Sequence, residues 1–371
     1  MAATEDDILQ YRWLGRELGY TALEHEVIFR DLCCGCGGCA AVCPENVIAV
    51  DDFPKLVGEC TDCGFCLVQC PRSFLDPMAI EEKLYGGVAE GPIGHVATMK
   101  GVKATDGKMM KGAQDGAFVT ALLKYAFDNG IIDGALVAGS DENWKPIPKL
   151  VTSSKELAGT AGTRYSNCAN LSPLTEAKEK GLEKLAVVGL PCQIEGMRKI
   201  QHYPLEDVDL KDRVAFTVAL FCKTNFLYDG LMFSIIQGRY GIDPKKMRRI
   251  DIKGKSVIVT TDKGDMEIPL EEAHEYERKG CQVCWDFTSR LSDFSAGSVG
   301  TPAGYTTVIA RNKKAKNLLK KMEKDGAIET IEVERKEVTL KLQAAKEKRA
   351  VRESRKRIRR ALPPPLKHLK F

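Results

Sequence analysis

The sequence predicts a mixed α/β body that follows a small cysteine-rich module. Three observations support this prediction: nine of the 14 cysteines lie between Cys33 and Cys70, apolar strands alternate with helical patterns after residue 97, and one strand hairpin interrupts the alternation. With 371 residues, 44% hydrophobic and 29% charged, the chain is typical of a folded protein of two domains. The predicted parts are residues 1–96, residues 97–335 and a basic helical tail, residues 336–371.

The composition and charge exclude several function classes. With 55 Lys and Arg against 51 Asp and Glu, the net charge of +4 is too close to neutral for a general polyanion binder. Aromatic residues make up 7%, too few for platforms that stack single-stranded nucleic acid, so no nucleic-acid partner is expected. No apolar run reaches the roughly 18 residues of a membrane span, and the acidic N-terminus lacks the features of a signal peptide. We therefore expect a cytoplasmic protein whose cysteines serve as thiolate metal ligands.

Two copies of one cysteine motif dominate the first module. Their spacing, C-x2-C-x2-C-x3-C-P, is typical of a bacterial-type ferredoxin domain with two 4Fe-4S clusters. Three closely spaced cysteines reach one cluster, and the fourth lies far enough along the chain to reach the other. The expected ligands are Cys33, Cys36, Cys39 and Cys70 for one cluster, and Cys60, Cys63, Cys66 and Cys43 for the second. Structural zinc is the alternative, but it gives no reason for Pro44 and Pro71, and Cys34 is left over as a packing thiol.

The body follows with alternating strands and helices. Strands are expected over residues 131–138, 185–190, 214–221 and 305–310. Helices are expected over residues 118–126, from about residue 191, over residues 227–239 and over residues 313–324. Residues 256–269 alternate around a central turn and predict a hairpin inserted in the body.

Four further cysteines follow predicted strands or the hairpin. Cys192 comes directly after the strand over residues 185–190, and Cys222 ends the strand over residues 214–221. In a parallel sheet both would lie at the carboxyl edge, where α/β folds place their sites. Cys281 and Cys284 form a C-x2-C pair after the hairpin. The spacing alone leaves two interpretations open: a third 4Fe-4S cluster, or isolated buried thiols.

Two glycine-containing loops are candidates for binding a phosphate or a cofactor. Clusters are often paired with a flavin, and residues 112–116 open a helix whose backbone amides can bind phosphate, although no G-x-G-x-x-G occurs. The alternative is a plain helix start capped by Asp115. Residues 159–165 form a second small-residue loop with a basic end. The candidate cofactor-binding residues are Gly112, Gln114, Asp115, Gly116, Thr163, Arg164 and Tyr165.

From about residue 98 to residue 362, the chain resembles the beta subunit of the coenzyme F420-reducing hydrogenase and its dehydrogenase relatives. The matching segments are collinear: residues 114–116, 143–146, 161–165, 191–193, 222, 272–276, 280–284 and 297–300. With its N-terminal module, the chain is also similar to the input subunit of the F420H2 dehydrogenase of methanogenic archaea. It resembles the N-terminal half of F420-dependent sulfite reductase as well, but no sulfite-reducing half follows.

The resemblance implies a flavoprotein with an FAD site, an adjacent F420 site and one 4Fe-4S cluster in the body. It assigns Cys192, Cys222, Cys281 and Cys284 as ligands of that third cluster. Hydride would pass between F420 and FAD, and single electrons would pass through the clusters to or from a partner. Lys111, Lys145 and His274 are candidate polar residues near the cofactors, and no proton-abstracting triad is expected.

Other functions within the same family stay open. One is a ferredoxin-dependent reductase of chlorophyll-pathway tetrapyrroles, and another is a non-catalytic electron-transfer subunit. The expected partner is a redox complex: a membrane F420H2 dehydrogenase core, a heterodisulfide reductase, a hydrogenase or a formate dehydrogenase. Residues 346–360 hold nine Lys and Arg and two Glu. They predict either a solvated surface helix or an arm that docks on an acidic partner or an anionic membrane surface.

Overall fold

The N-terminal module consists of short elements around the cysteine motifs. The computed structural model of the chain describes residues 5–205 and 208–359, and side chains within 10–205 and 208–357. The module contains α1 (Glu5–Leu23), a π-helical turn (Glu24–Ile28), α2 (Gly38–Ala41), β1 (Ile48–Val50), β2 (Pro54–Leu56), α3 (Phe65–Val68) and α4 (Pro77–Tyr85). Strands β1 and β2 pair antiparallel. Gly37 and Gly64 precede α2 and α3 with φ of 86° and 73°, a conformation that glycine adopts without steric cost.

Helix α1, which sequence analysis did not predict, packs on the second cysteine motif. A Cβ atom on Gly15 would lie 2.8 Å from the Cα atom of Gly64, and one on Gly19 would lie 1.9 Å from Asp62 Oδ1. Gly19 also has φ of 53°, so the helix bends there. The two glycines therefore form a notch that accepts the loop between Asp62 and Gly64.

A mixed eight-stranded sheet forms the centre of the body. The body strands are β3 (Thr98–Ala104), β4 (Gly134–Ser140), β5 (Pro146–Val151), β6 (Leu185–Gly189), β7 (Val214–Leu220), β8 (Met247–Lys253), β9 (Ser256–Thr261), β10 (Gly264–Pro269), β11 (Phe294–Gly297), β12 (Thr306–Ala310) and β13 (Ile328–Ile331). The large sheet has the order β13-β3-β12-β11-β7-β6-β4-β5. Its central strands β4, β6, β7 and β11 run parallel, and the outer strands are antiparallel. The predicted mixed α/β class is confirmed.

Helices cover both faces of the large sheet. The body helices are α5 (Gly107–Lys111), α6 (Phe118–Asp128), α7 (Leu174–Glu179), α8 (Pro191–His202), a π-helix (Asp229–Arg239), α9 (Leu270–His274), α10 (Lys279–Gln282), α11 (Lys313–Lys324) and α12 (Lys336–Arg359); two short 3-10 turns are Ser154–Leu157 and Pro244–Lys246. On one face, Phe118 and Leu122 of α6 pack with Leu319 of α11. On the other face, α7 and α8 pack together with Val42 and Ile80 of the module. The module therefore completes the core of the body.

Most predicted elements form where the sequence pattern places them, with local differences. The first predicted strand, over residues 131–138, begins later, at Gly134, because Asn129 and Gly130 end α6 and three further residues turn the chain. The helix over residues 227–239 forms as a π-helix from Asp229. Asp115 does not cap α6: Ala117 precedes the helix with φ of 56°, and no side chain caps it.

The predicted hairpin is part of a larger unit. Strands β9 and β10 pair antiparallel as expected, but β8 joins them and makes a separate three-stranded sheet. The π-helix packs on this sheet through Leu231 and Ile235, which contact Ile250 and Val259. The strand β8 was missed because Arg248, Arg249 and their neighbours obscure its alternation.

The prediction of a solvated helix over the basic residues of α12 is wrong for part of its length. Lys346 is 2% exposed, and Arg357 is also buried. Among residues 346–357, four basic residues stay exposed: Lys348, Arg352, Arg355 and Lys356. The side chain of Arg359 and all of Arg360 lie outside the described residues. No helix in the described part of the chain is long and apolar enough to cross a membrane.

Candidate functional site

Twelve of the 14 cysteines gather into three groups of four, and all 14 are free thiols. We call Cys33, Cys36, Cys39 and Cys70 the near set, Cys43, Cys60, Cys63 and Cys66 the far set, and Cys192, Cys222, Cys281 and Cys284 the body set. The near and far sets lie in the module, and the body set lies at the large sheet. Each set brings together the cysteines that sequence analysis grouped, and their role as cluster ligands stays a prediction.

The near set surrounds the start of α2. Cys39 interacts electrostatically with Cys33 and Cys70, and Cys36 interacts with Cys39 and Cys70. Backbone N–H groups of Gly35, Gly38 and Arg72 donate to the sulfurs of Cys33, Cys36 and Cys70, each over 3.4 Å. These donors stabilise negative charge on the sulfur atoms. All four thiols of this set are buried.

The far set lines a cavity next to the protein surface. Cys43, Cys60, Cys63 and Cys66 all line this cavity of about 320 Å³, including space open to solvent, together with Tyr20. Cys66 interacts electrostatically with Cys63, Cys60 and Cys43. Three of the four, all but Cys66, are partly exposed. The far set is therefore the set closest to solvent.

The body set lies at the carboxyl edge of two neighbouring parallel strands, as the sequence predicts. Cys192 starts α8 after β6, and Cys222 follows β7. Cys281 and Cys284 come from α10 and the residues after it. Cys222 interacts electrostatically with Cys281 and Cys284, and Cys192 interacts with Cys284. The fold therefore collects four thiols from three separate segments.

The chemistry of the near and body sets fits a cluster of metal ions. Burial raises the pKa of the Cys70 and Cys222 thiols to about 12, and it also raises the pKa of Cys39 and Cys281. Thiolates become favourable at such buried sites when metal cations bind them. No three Cys, His, Asp or Glu side chains among residues 5–205 and 208–359 are arranged to hold a single metal ion. In a four-iron cluster each thiolate binds a different iron, so the ligands stand farther apart than around one ion.

Four buried cations surround the near and body sets, and sequence analysis did not identify them. Arg72, Lys199, Arg278 and Lys346 are at most 3% exposed. Lys199 Nζ donates to the carbonyl of Cys70 over 2.6 Å, and Lys346 Nζ donates to that of Cys222 over 2.5 Å. Within the described chain, neither lysine has a carboxylate oxygen within 4 Å of its ammonium group, although Lys346 interacts electrostatically with Glu195. Buried positive charge is costly without a counter-charge, and a 4Fe-4S cluster with four thiolates is an anion. The residues present therefore fit such clusters.

The two predicted cofactor loops meet along β8. Arg249 Nη2 donates to the carbonyl of Gln114 over 2.8 Å. The N–H of Ile252 donates to the Tyr165 hydroxyl over 3.2 Å, and Tyr165 interacts electrostatically with Asp115. The structure therefore brings Gln114, Asp115 and Tyr165 together.

A third segment reaches the same strand. Trp144 Nε1 donates to the carbonyl of Met247 at the start of β8, over 3.1 Å. Residues 143–146 are among the segments that carry the family resemblance. The short sheet that sequence analysis recognised only as a hairpin therefore organises three candidate segments of the site.

Gly116 is fixed by close contacts with two strands. A Cβ atom there would lie 2.1 Å from the carbonyl oxygen of Val102 and 2.8 Å from the N atom of Thr306. The N–H of Gly116 donates to Thr306 Oγ1 over 3.1 Å. Only glycine fits this position, so the loop 112–116 is held against β3 and β12. Gly112, in contrast, has no neighbour within 4 Å of an added Cβ.

Arg164 folds its own loop. Its guanidinium donates to the carbonyls of Gly159, Thr160, Ala161 and Gly162 over 2.6–3.2 Å. Gly159 and Gly162 have φ of 79° and 89°, which lets the loop curl around the cation. Burial lowers the pKa of Arg164. The side chain shapes the loop that carries Thr163, and its role as a cofactor contact stays a prediction.

The three candidate polar residues each have separate surroundings. Lys145 Nζ pairs with Asp51 of the module over 2.8 Å. His274 Nδ1 lies 3.6 Å from Glu277 Oε2, close to the body set. Lys111 is exposed at the end of α5. The structure does not bring these three side chains together.

Comparison with known proteins decides the family. The model of the coenzyme F420 hydrogenase/dehydrogenase beta subunit N-terminus matches residues 99–175, and that of the C-terminus matches residues 182–336. The coenzyme F420 hydrogenase subunit beta of Methanothermobacter thermautotrophicus is 39% identical over 71% of this chain and 95% of its own length. The chain belongs to the coenzyme F420 hydrogenase/dehydrogenase beta subunit family. The predicted resemblance is confirmed.

Two further relatives extend the comparison. The coenzyme F420-dependent sulfite reductase of Methanocaldococcus jannaschii is 35% identical over 84% of this chain, and the chain spans about half, 49%, of that protein. A solved chain from the F420-reducing [NiFe] hydrogenase complex of Methanosarcina barkeri has a TM-score of 0.69 and 34% identity. The match covers 76% of this chain and 95% of the solved chain. This structural match confirms that the fold is that of the family.

Proposed function

We propose that this family member is an iron–sulfur flavoprotein subunit that transfers hydride between coenzyme F420 and FAD and exchanges single electrons with a partner complex. The observation that supports this most directly is the body set, four thiols from three segments, two of them buried, with the buried Lys346 beside them. When bound, FAD supplies a centre that accepts a hydride and releases electrons singly, and 4Fe-4S clusters supply one-electron carriers. We propose one FAD and three clusters per chain, held by the near, far and body sets.

The loops along β8 are the proposed FAD-binding region. Gly116 sets the position of the first loop, and Arg164 sets the curvature of the second. Their roles are to hold the cofactor and to exclude water from the hydride path, since hydride transfer depends on orientation of the two rings. Lys111, Lys145 and His274 stay candidate contacts of FAD or F420. Gly112, Gln114, Asp115, Thr163 and Tyr165 are proposed to contact FAD.

The positions of the three thiol sets support a route for electrons through the chain. A Cβ atom on Gly196 of α8 would lie 3.4 Å from the sulfur of Cys36, so the helix that carries Cys192 in its first turn contacts the near set. The far set lies beyond it and next to solvent. We propose that electrons pass from the body set to the near set, then to the far set, and leave there to the partner.

The proposed partner is a redox complex, with the chain as an input subunit of the F420H2 dehydrogenase type. A membrane dehydrogenase core, a heterodisulfide reductase, a hydrogenase and a formate dehydrogenase are the candidate partners. The N-terminal module supports this proposal because it adds two carriers between the body and the surface. Domain boundaries at residues 96 and 335 are part of the same proposal.

The test is cofactor analysis of protein purified without oxygen, followed by addition of reduced F420. We expect about twelve irons, four for each 4Fe-4S cluster, one FAD per chain and bleaching of the flavin absorbance. Cys281→Ser should leave flavin reduction intact and stop onward electron flow, whereas Cys63→Ser should leave flavin and body cluster reducible. A content of only about eight irons, enough for two clusters, would show that the body set holds no cluster. A chain without flavin would be an electron-transfer subunit, and reduction by ferredoxin alone would favour the tetrapyrrole reductase.

A further inference from the structure

The module and the body meet between the near set and the body set. The N–H of Leu171 donates to the carbonyl of Cys36 over 3.0 Å, and Asn167 Nδ2 donates to that of Gly35 over 2.9 Å. A Cβ atom on Gly280, next to Cys281, would lie 2.6 Å from the carbonyl oxygen of Cys33. The two sets are therefore separated by tightly packed protein.

Cys34 lies within this junction and belongs to none of the three sets. Cys34 is 8% exposed and packs in one buried cluster with Cys36 of the near set and Cys192 of the body set, and it interacts electrostatically with both thiols. Sequence analysis treated Cys34 as a packing thiol, and its place in a buried cluster agrees with that interpretation. The same position puts the side chain between one sulfur of each set.

Arg72 enters the same junction from the module. It follows Cys70 and Pro71, and its side chain is 2% exposed. Its guanidinium interacts electrostatically with the thiols of Cys34, Cys192 and Cys284. Arg72 therefore contacts the near set through its backbone N–H, which donates to Cys70, whereas its side chain lies near the body set.

Several buried polar atoms at this junction have no hydrogen-bond partner in the described chain. Nε and Nη2 of Arg72 have no hydrogen-bond partner in the described chain, and neither carboxylate oxygen of Glu195 has one. The closest ion-pair contact, from Arg72 Nη1 to Glu195 Oε2, spans 3.7 Å, too long for a hydrogen bond. Buried donors without acceptors are costly. Since Glu195 lies too far away to accept a hydrogen bond from Arg72, these N–H groups can donate to the sulfur atoms of an iron–sulfur cluster.

We propose that Arg72 and Cys34 form a polar bridge that raises the redox potential of the body cluster and couples it to the cluster of the near set. The bridge rests on the proposed function, because it requires clusters at both sets. Reduction adds negative charge to a cluster, and nearby donors and a cation stabilise that charge. They therefore shift the potential upward.

The position of Arg72 between two sets also affects electron transfer. One electron that leaves the body set enters the near set, so one cluster is oxidised as the other is reduced. The total charge around Arg72 stays the same, and no bond forms or breaks. The guanidinium needs little rearrangement during the transfer, because the summed charge of the two clusters beside it does not change. Arg72 and Cys34 are positioning residues in this proposal.

The test compares midpoint potentials in the cluster-loaded full chain by EPR-monitored redox titration. We expect Cys34→Ala to lower the potential of the body cluster and Cys34→Ser, which keeps a donor, to restore most of it. Cys168→Ala is the matched control, because Cys168 is an equally buried thiol outside the three sets. The double variant Arg72→Met/Glu195→Gln removes both buried charges together, which avoids an unpaired carboxylate, and should lower the potential further.

The outcomes separate this proposal from the proposed function. Full iron content with unmoved potentials in both Cys34→Ala and the double variant would overturn the bridge alone. Loss of four irons in Cys34→Ala would also overturn it, because Cys34 would then be a ligand. A wild-type chain without irons at the body set would overturn the proposed function and the bridge with it. Lowered potentials at full iron content, with Cys168→Ala unchanged, support the bridge.

Discussion

The ammonium group of Lys346 donates a hydrogen bond to the backbone carbonyl of Cys222 over 2.5 Å, from a side chain that is 2% exposed. Helix α12 therefore places a buried cation beside the body set. Arg349 strengthens the attachment, since it binds Glu277 over 2.7 Å and the carbonyl of Cys281 over 3.0 Å. The last helix of the described chain is part of the candidate site.

Lys346→Met should destabilise the fold and lower the potential of the body cluster. The variant loses a charge-assisted hydrogen bond, about 1.5–3 kcal/mol of the free energy of unfolding, and the cation that stabilises a reduced cluster. Thermal unfolding and EPR-monitored titration measure the two effects. The control is Lys348→Met, which changes an exposed lysine of the same helix. If the body cluster has the same midpoint potential in Lys346→Met and Lys348→Met, Lys346 has no role at the body set.

Gly15→Ala should displace α1 from the far set. The new methyl group would meet Gly64 at 2.8 Å, where both partners are backbone, and overpacking of this kind typically costs about 1–3 kcal/mol. We expect faster loss of iron from the far set in air, down to about eight irons, two clusters, per chain. Iron release is followed by absorbance against Gly87→Ala, where an added Cβ has no neighbour within 4 Å. Identical release from the two variants would show that α1 does not protect the far set.

Because of His202, the free energy of unfolding should decrease as the pH is lowered. Burial, together with the nearby charges of Arg198 and Lys83, lowers the pKa of this imidazole to about 4. The unfolded chain binds the proton near pH 6.5, so the stabilising contribution is complete above that pH and is lost as pH falls towards 4. Between pH 7.5 and 5.5, the unfolding temperature of His202→Gln should fall less than that of wild type. His25→Gln, at an exposed site, is the control and should follow wild type.

The fold was largely predictable because its central strands are apolar and its helices have apolar faces. The strands over residues 185–190 and 214–221 and the helix over 118–126 follow directly from hydrophobic periodicity. The buried face of α12 could not be predicted in this way. It consists of Thr339, Gln343, Lys346, Ala350, Ser354 and Arg357, spaced three or four residues apart. The spacing is helical, but the side chains are polar, so the hydrophobic pattern does not show it.

The candidate site was predictable only where spacing itself determines the chemistry. The cysteine motifs fix which thiols of the module come together, whatever the surrounding sequence. Arg72 carries a local signal that was overlooked, because it follows the second Cys-Pro pair directly. Arg249, which reaches Gln114 across 135 positions, has no such signal. Contacts of this kind depend on how β8 packs against the body.

The exposed basic residues of α12 should support docking on an acidic partner. Lys348, Arg352, Arg355 and Lys356 stay exposed, and they lie beyond the buried Lys346. Reversing Lys348 and Arg352 to Glu should weaken co-purification with the partner complex, most strongly at low salt, because screening acts over about 8 Å at physiological ionic strength. Oxidation of reduced F420 with an artificial dye should not change. If wild type and the charge-reversed variant bind the partner equally across a salt titration, these residues have no role in docking.

Arg164→Lys should reduce the flavin content of the purified chain. The guanidinium holds four successive carbonyls from Gly159 to Gly162, and a lysine ammonium has only three donors and no planar fork. The loop that carries Thr163 should therefore lose its curvature although the charge is kept. FAD per chain is measured after gel filtration, with iron content as the internal control because the Arg164 guanidinium donates to carbonyls of its own loop and to no cysteine of the three sets in the described chain. A loss of flavin with about twelve irons retained, the content of three clusters, would support the FAD region along β8. Full flavin retention in Arg164→Lys and Arg164→Met would exclude the loop from cofactor binding.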